Sequence, residues 1–401
     1  MLQPVFQGLK VIDCGSFIAA PAAATVLSDF GADVIKIEPP GSGDPYRDLP
    51  KLPGNPLSPH NYAWLLDSRN KRSIALDLGK PAGQAVLKRL VRSADVFVTN
   101  YPPAVRQRLG LTYEVLATLN DRLIYASFTG YGETGDETNK PGFDVTAWWA
   151  RSGLMDIVRA EAGAPPVRPT PGMGDHPSAM ALFGAIVTAL YQRERTGKGA
   201  RVGSSLLANG LWANGYLAQA ALCGAKFIDR PPREQALNAL TTYYRCRDGR
   251  WLILTILNEQ RQWPAFAKAL GREELVSDPR FATKQDRLAR SRELVATLDA
   301  IFLTRDREEW RKALAANGIV FDVVAMPDDI PADEQLSAND IVIPFEDGTL
   351  RTVSSPFFIE GSQRVQPRQP PALGQHSDEI LQEAGYDVAE IRSLREQGAV
   401  R

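Results

Sequence analysis

The sequence predicts an α/β fold, with helices packed on a parallel sheet and a smaller α+β unit beside it. Three observations predict this. Short β-branched runs alternate with helical patterns from Gly8 to about Gly130, a long alanine-rich apolar stretch follows, and charged amphipathic helices then gather around one strand pair. Five runs read as strands: Val11–Cys14, Asp33–Glu38, Ser73–Leu78, Asp95–Asn100 and Leu123–Gly130. Pro81–Ala94, which opens on proline, and Tyr113–Asn120 read as helices between the last three. Alternation at this spacing implies right-handed crossovers and hence parallel pairing. The first strand runs into Gly15-Ser16-Phe17-Ile18-Ala19-Ala20-Pro21, which is not the GxGxxG turn of dinucleotide sites. Thr146–Gly224 reads as helical and in places apolar on all sides, as a buried helix or a large interface would be. From about Arg230 to Pro331 a strand pair around Tyr243–Ile256 turns at Asp248-Gly249, and helices follow at Arg287–Leu303 and Arg307–Asn317. Strand-like text returns at Ile341, then the Pro/Gln-rich stretch Gln363–Pro371, then a helix at His376–Ala384. The bounds expected are 1–224 for the first part of a large domain, 225–331 for a small one, and 332–401 for a return to the large one.

Composition narrows the chemistry. The 401 residues carry a net charge of -1, with 44% apolar and 23% charged residues. Such a balance argues against nucleic-acid binding, which calls for a basic face. The apolar stretch Phe17–Leu27 is interrupted by Pro21 and is far shorter than the about 20 residues of a membrane span. Met1–Gln7 lacks the basic and apolar regions of a signal peptide, so a cytoplasmic protein without membrane partners is expected. Three scattered cysteines and three scattered histidines make neither a disulfide framework nor a metal site. Carboxylate, hydroxyl and backbone chemistry remain.

The most informative stretch is Gly172-Met173-Gly174-Asp175-His176-Pro177, a glycine-rich turn running into a long apolar helix. Asp175 falls where an N-cap belongs and Pro177 in the first turn. Free N–H groups and the helix dipole would keep that carboxylate ionised at pH 7. It is either a cap or a nucleophile, and Asp144 in Pro141-Gly142-Phe143-Asp144 poses the same choice. Adjacent positions on a helix do not share a face, so an Asp175–His176 relay is not expected. Two basic clusters, Asn70-Lys71-Arg72 and Arg106 with Arg108, are either solvated faces or phosphate contacts beside the sheet.

At these residues the chain resembles the family III CoA-transferases, the CaiB/BaiF family that includes formyl-CoA and carnitine CoA-transferases and related acyl-CoA racemases. The resemblance is carried by GLKVID (Gly8–Asp13), LSDFGADVIKIEPPGSGD (Leu27–Asp44), NKRSIALDL (Asn70–Leu78) and NYPPAVRQRLGL (Asn100–Leu111). It continues through GYG (Gly130–Gly132), GDHPSAMALFGAIVTALYQRERTGKG (Gly174–Gly199) and PALGQHSDEIL (Pro371–Leu381). It implies a Rossmann-type large domain built from both chain ends, a smaller domain between them, and two ring-like chains interlocked as a homodimer. Asp175 matches the family's nucleophile, which attacks an acyl-CoA thioester and passes CoA to a free organic acid through aspartyl anhydride and aspartyl-CoA intermediates. CoA is then substrate, and no tightly bound cofactor or metal is needed. The loop Ser16, Phe17, Ile18, Ala19 matches the loop that supplies backbone donors to the reacting carbonyl. Lys71, Arg72, Asn100, Arg108 and Lys140 match contacts to CoA.

Two departures bear on substrate. Racemase relatives carry a histidine where Phe143 stands before Asp144, so a racemase or isomerase lacks its base, while the retained Asp175 disfavours a non-catalytic CoA-binding protein. Formyl-CoA relatives carry glutamine at Ile18 and arginine at Pro39. Phe143, Asp144 and Trp148 are therefore expected to line a pocket for a medium-sized branched, unsaturated or aromatic acid, unless Trp148 and Trp149 pack a dimer core instead.

Overall fold

A computed structural model describes residues 3–401. Six strands, β1 (Lys10–Asp13), β2 (Asp33–Glu38), β3 (Arg72–Ala75), β4 (Val96–Thr99), β5 (Ile124–Thr129) and β6 (Ala200–Ser205), form one sheet in the order β3-β2-β1-β4-β5-β6. Every neighbouring pair is parallel. This is the doubly wound order, and the direction of winding reverses between β1 and β4.

Successive residues of each strand face opposite sides. Val11, Val96 and Ile124 join the core under one face, and Ile12, Phe97 and Tyr125 join the core under the other. That double burial is why these strands read as continuous apolar runs. The helices in this part of the chain are α1 (Ala19–Asp29), α2 (Tyr62–Asp67), α3 (Pro81–Val91), α4 (Pro103–Leu109), α5 (Tyr113–Ala117), α6 (Leu154–Ile157) and α7 (Asp175–Thr196). Both α3 and α4 start on proline, where a missing N–H costs nothing. All of α1 is buried, and its alanines allow close packing on α7.

One strand departs from the sequence reading. β6 lies inside the stretch expected to be helical, between α7 and the helices α8 (Leu206–Ala213) and α9 (Gly215–Leu222). Its sequence, ARVGSS, has little β-branched character and is held by the β5 ladder. The segment Asp144–Ala150, also within helical text or just ahead of it, forms a π-helical turn.

Contacts divide the chain into two compact units. The first comprises residues up to Ile157, Arg168–Gly224 and Gln335–Arg401. Its C-terminal part runs alongside β3, where Asp77 N–H donates to Ala399 O at 2.9 Å and Arg401 N–H to Ala75 O at 3.1 Å. The second comprises Val158–Val167 and Ala225–Glu334. Sequence analysis left Val158–Val167 with the large domain, but Ala162 N–H and the Arg159 carbonyl both bond Arg230. This unit folds around an antiparallel sheet of β7 (Tyr243–Arg245), β8 (Trp251–Leu254) and β9 (Phe321–Val323), with Trp263, Phe302 and Trp310 in its core. Among the described residues no helix is long and apolar enough to cross a membrane.

Candidate active site

A parallel crossover returns the chain from one end of the sheet to the other, so the helix between two strands begins at the carboxyl edge. The N-termini of α1, between β1 and β2, and of α7, between β5 and β6, therefore meet at one edge. Ligands of doubly wound sheets bind there.

Asp175 is the first residue of α7. The N-cap is Gly174, so Asp175 does not cap the helix as the sequence suggested. Among the described residues nothing donates a hydrogen bond to its carboxylate. Its pKa is also not what the helix dipole alone would give. Burial pushes it up to about 7, the nearby Asp144 adds to the rise, His176 opposes it and Asp67 adds again. The raised carboxyl is a correction to the ionised carboxylate expected from the helix start alone.

Asp144 supports the turn from beneath. Its Oδ2 accepts from Gly174 N–H at 3.0 Å, while Oδ1 is buried without a partner. Burial raises its pKa, and the backbone donors at Gly174 work against that rise. A Cβ at Gly174 would lie 2.5 Å from Trp148 Cδ2 and 2.6 Å from Asp144 Oδ1, so no side chain fits. Trp148 is 7% exposed and packs behind this glycine rather than facing an open pocket. The exposed aromatic is Phe143, whose ring meets Phe17 edge-on at 5.4 Å. Phe17 holds a left-handed φ of 60°, a strained position for a bulky residue.

The remaining expected residues separate. Ser16 N–H donates to Asn100 Oδ1 at 2.8 Å and Asn100 Nδ2 returns a bond to Ser16 O at 2.7 Å. Asn100 thus clamps the loops after β1 and β4, with both polar groups engaged in the protein rather than offered to CoA. Phe17 N–H is also engaged, with Asp44 Oδ1 at 3.1 Å. Among the described residues, the open donors of this loop are the N–H groups of Ile18, Ala19 and Ala20. The Ile18 side chain itself is buried. Lys71 is fully buried, and its ammonium donates to Asp13 Oδ2, Pro21 O and Asp67 O at 2.8–2.9 Å, leaving no proton for a phosphate. Arg72 opens β3 and so sits at the amino edge, where Asp33, Glu379 and Glu383 hold it. Neither matches the CoA-contact expectation. Arg108, on α4 after β4, is exposed and makes no ion pair among the described residues. Lys140 is half-exposed, bridges Glu137 at 2.6 Å and lies over the Tyr131 ring.

The sequence did not disclose the partner of His176. Its Nε2 lies 3.1 and 3.2 Å from the two carboxylate oxygens of Asp67, at the end of α2, and Tyr46 O–H donates to the same carboxylate at 2.6 Å. Behind them Lys36 bridges Asp44 and Asp13 at 2.8 and 3.6 Å, and Glu38 accepts from Arg47 and Ser73. One signal was available: a lysine and a glutamate in DVIKIE, in a strand buried on both faces, demand internal partners. A cavity of about 470 Å³ has His176, Asp67, Val26, Leu66 and Met180 on its wall, but not Asp175. No cluster of three or more metal-ligating side chains exists among the described residues.

The family model for CoA-transferase family III matches residues 6–377. Among curated proteins, the chain is 32% identical to the (R)-2-hydroxy-4-methylpentanoate CoA-transferase of Clostridioides difficile, over 99% of this chain and 100% of the relative. It is 34% identical to the cinnamoyl-CoA:phenyllactate CoA-transferase of Clostridium sporogenes, over 97% and 96%. Among solved structures, a CAIB/BAIF family protein from Brucella suis superposes with a TM-score of 0.85 at 28% identity, covering 96% of this chain and 100% of that one.

Proposed function

Because this chain belongs to CoA-transferase family III, we propose that it transfers CoA between carboxylic acids with Asp175 as the covalent nucleophile. The observation that carries this is a carboxylate at a helix start, at the ligand-binding edge of the sheet, with no hydrogen-bond partner and a pKa of about 7. Asp175 is half-buried, so its carboxylate is open to an incoming thioester rather than held by a protein donor.

The steps balance without a metal or redox partner. Ionised Asp175 attacks the donor thioester carbonyl and CoA leaves as thiolate, which forms an aspartyl anhydride. The thiolate attacks the aspartyl carbonyl, releasing the donor acid and leaving an aspartyl-CoA thioester. The acceptor carboxylate attacks that thioester, expelling the thiolate, and the thiolate then takes the acyl group from the second anhydride and frees Asp175. Each tetrahedral carbon develops an oxyanion, for which the N–H groups of Ile18, Ala19 and Ala20 are the open donors. In this reading the CoA phosphates meet Arg108, which makes no ion pair among the described residues, and Lys140, which would exchange Glu137 for phosphate. Incubation with acyl-CoA alone should leave a hydroxylamine-sensitive adduct on the peptide containing Asp175. An unmodified Asp175 peptide in a protein that still exchanges CoA would overturn the assignment.

The acceptor is a medium-sized apolar or aromatic acid. Supporting this, the exposed Phe143 ring stands next to Asp144 and meets the partly buried Phe17 edge-on, and the two relatives described above are named for branched and aromatic acids. Each buried methylene contributes about 0.8 kcal/mol, and an unmet polar group costs about 1–3 kcal/mol. Among oxalate, succinate, a branched C5–C6 acid and an aryl-propionate, the last two should give kcat/KM at least tenfold above oxalate. The reverse order would refute this reading.

Two chains interlock as a homodimer in this proposal. Trp212, Tyr216 and Leu222 on α8 and α9 are each more than 80% exposed, a large apolar surface for a lone chain. Linked rings cannot part without unfolding, so sedimentation at nanomolar concentration should show dimer only. A folded monomer would exclude the interlock.

A further inference from the structure

We propose that His176 is a positioning residue, a fixed imidazolium that sets the charge state of the neighbouring Asp175 carboxylate. This rests on the transfer reading above. The geometry fixes its protonation. His176 Nδ1 lies 2.9 Å from Gly172 O, and Nε2 lies 3.1 and 3.2 Å from the Asp67 carboxylate oxygens. A carbonyl and a carboxylate only accept, so both ring nitrogens must donate, and a ring with two N–H groups is a cation.

The Asp67 carboxylate is 3% exposed and accepts the Tyr46 hydroxyl at 2.6 Å; it lies at the end of α2, whose last carbonyl accepts from Lys71 and Thr25. Neutral histidine would leave one of its two acceptors facing a lone pair. In accord with this, Asp67 and Asp175 together push the His176 pKa up to about 9 in spite of burial, which acts the other way.

The groups around the ring leave this role to His176 alone. On its own helix stands Asp175; from the Asp144–Ala150 turn comes Asp144, and from α2 and the turn before it come Asp67 and Tyr46. The nearby cations are committed elsewhere, Arg69 to Asp29 at 2.6 Å and Lys71 to Asp13 at 2.9 Å. Two carboxylates thus oppose the ionisation of Asp175, and the imidazolium is the charge that favours it. The same ring ties Gly172 O back to α2, which fixes the turn leading into the nucleophile.

The test is the pH dependence of Asp175 acylation. Single-turnover formation of the hydroxylamine-sensitive adduct is followed from pH 5.5 to 9.5 in the native protein, in His176→Gln and in His176→Lys. Gln keeps the size and a donor but loses the charge. Its acidic limb should move up by at least one pH unit, a tenfold loss on the limb that shrinks toward pH 9.5, and His176→Lys should move the limb back. An equal loss at every pH would reduce His176 to a structural role and overturn the proposal. Because the chain has only three histidines, NMR of histidine-labelled native protein reports the ring directly, whether or not the variants fold. His176 should remain doubly protonated at pH 8, and a neutral ring below pH 7 would overturn the proposal. If native protein forms no adduct at Asp175, the transfer reading fails while the NMR result stands. An adduct with an unshifted limb in His176→Gln leaves the transfer reading and removes only this one.

Discussion

Asp175→Asn is expected to lower CoA transfer by at least about a thousandfold and to make the folded protein more stable at pH 8. Asn keeps the size of the side chain and removes the attacking charge. The stability gain follows from linkage. Asp175 titrates near 3.8 when unfolded and about 7 when folded. Below 3.8 both states are protonated and the group contributes nothing to the difference. Between 3.8 and 7 the unfolded chain releases a proton that the folded chain keeps, so stability falls as pH rises, and above 7 the loss is complete. Its size is about 2–4 kcal/mol. Urea midpoints of native and Asn proteins should therefore coincide near pH 4 and separate by pH 8, with the variant higher. The same titration sets the rate: kcat/KM of the native enzyme should rise through an apparent pKa near 7, because only the carboxylate attacks. A variant that unfolds more easily at pH 8 would mean that the Asp175 carboxylate is paired.

How much of this was legible in the sequence differs by residue. β1 to β5 were legible because strands buried on both faces must be apolar runs, and the crossover rule then fixed their direction. β6 was not, since a Gly/Ser-rich strand owes its conformation to a neighbour that local text does not name. Asp175 stood out because a glycine turn before an apolar helix is a local signal. His176 and Asp67 did not, because the pair forms only when α2 is laid against the start of α7, and the sequence separation of 109 residues carries no trace of it. Lys71 and Arg72 show the opposite failure. Read in sequence, both are cations beside a strand; in three dimensions one faces a buried carboxylate and the other the wrong edge of the sheet.

Lys71→Met should therefore destabilise the protein by about 3–5 kcal/mol rather than weaken CoA binding alone. Lys71 and Asp13 are both fully buried. Burial works against Asp13 ionising, but Lys36 and Lys71 outweigh it and hold its carboxyl below the usual range. Lys36 is 3.6 Å from Asp13 and also serves Asp44 and Gly15 O, so it cannot replace the lost ammonium at full strength. Methionine fills most of the volume, yet Asp13 loses its closest cation and the carbonyls of Pro21 and Asp67 lose a donor. Arg108→Ala is the control, because Arg108 is exposed and makes no ion pair among the described residues. Its urea midpoint should match the native protein, while KM for acyl-CoA rises about tenfold, as the loss of one phosphate contact would give. Were Lys71 a phosphate ligand, the two variants would behave alike: native stability in both, and KM raised in both.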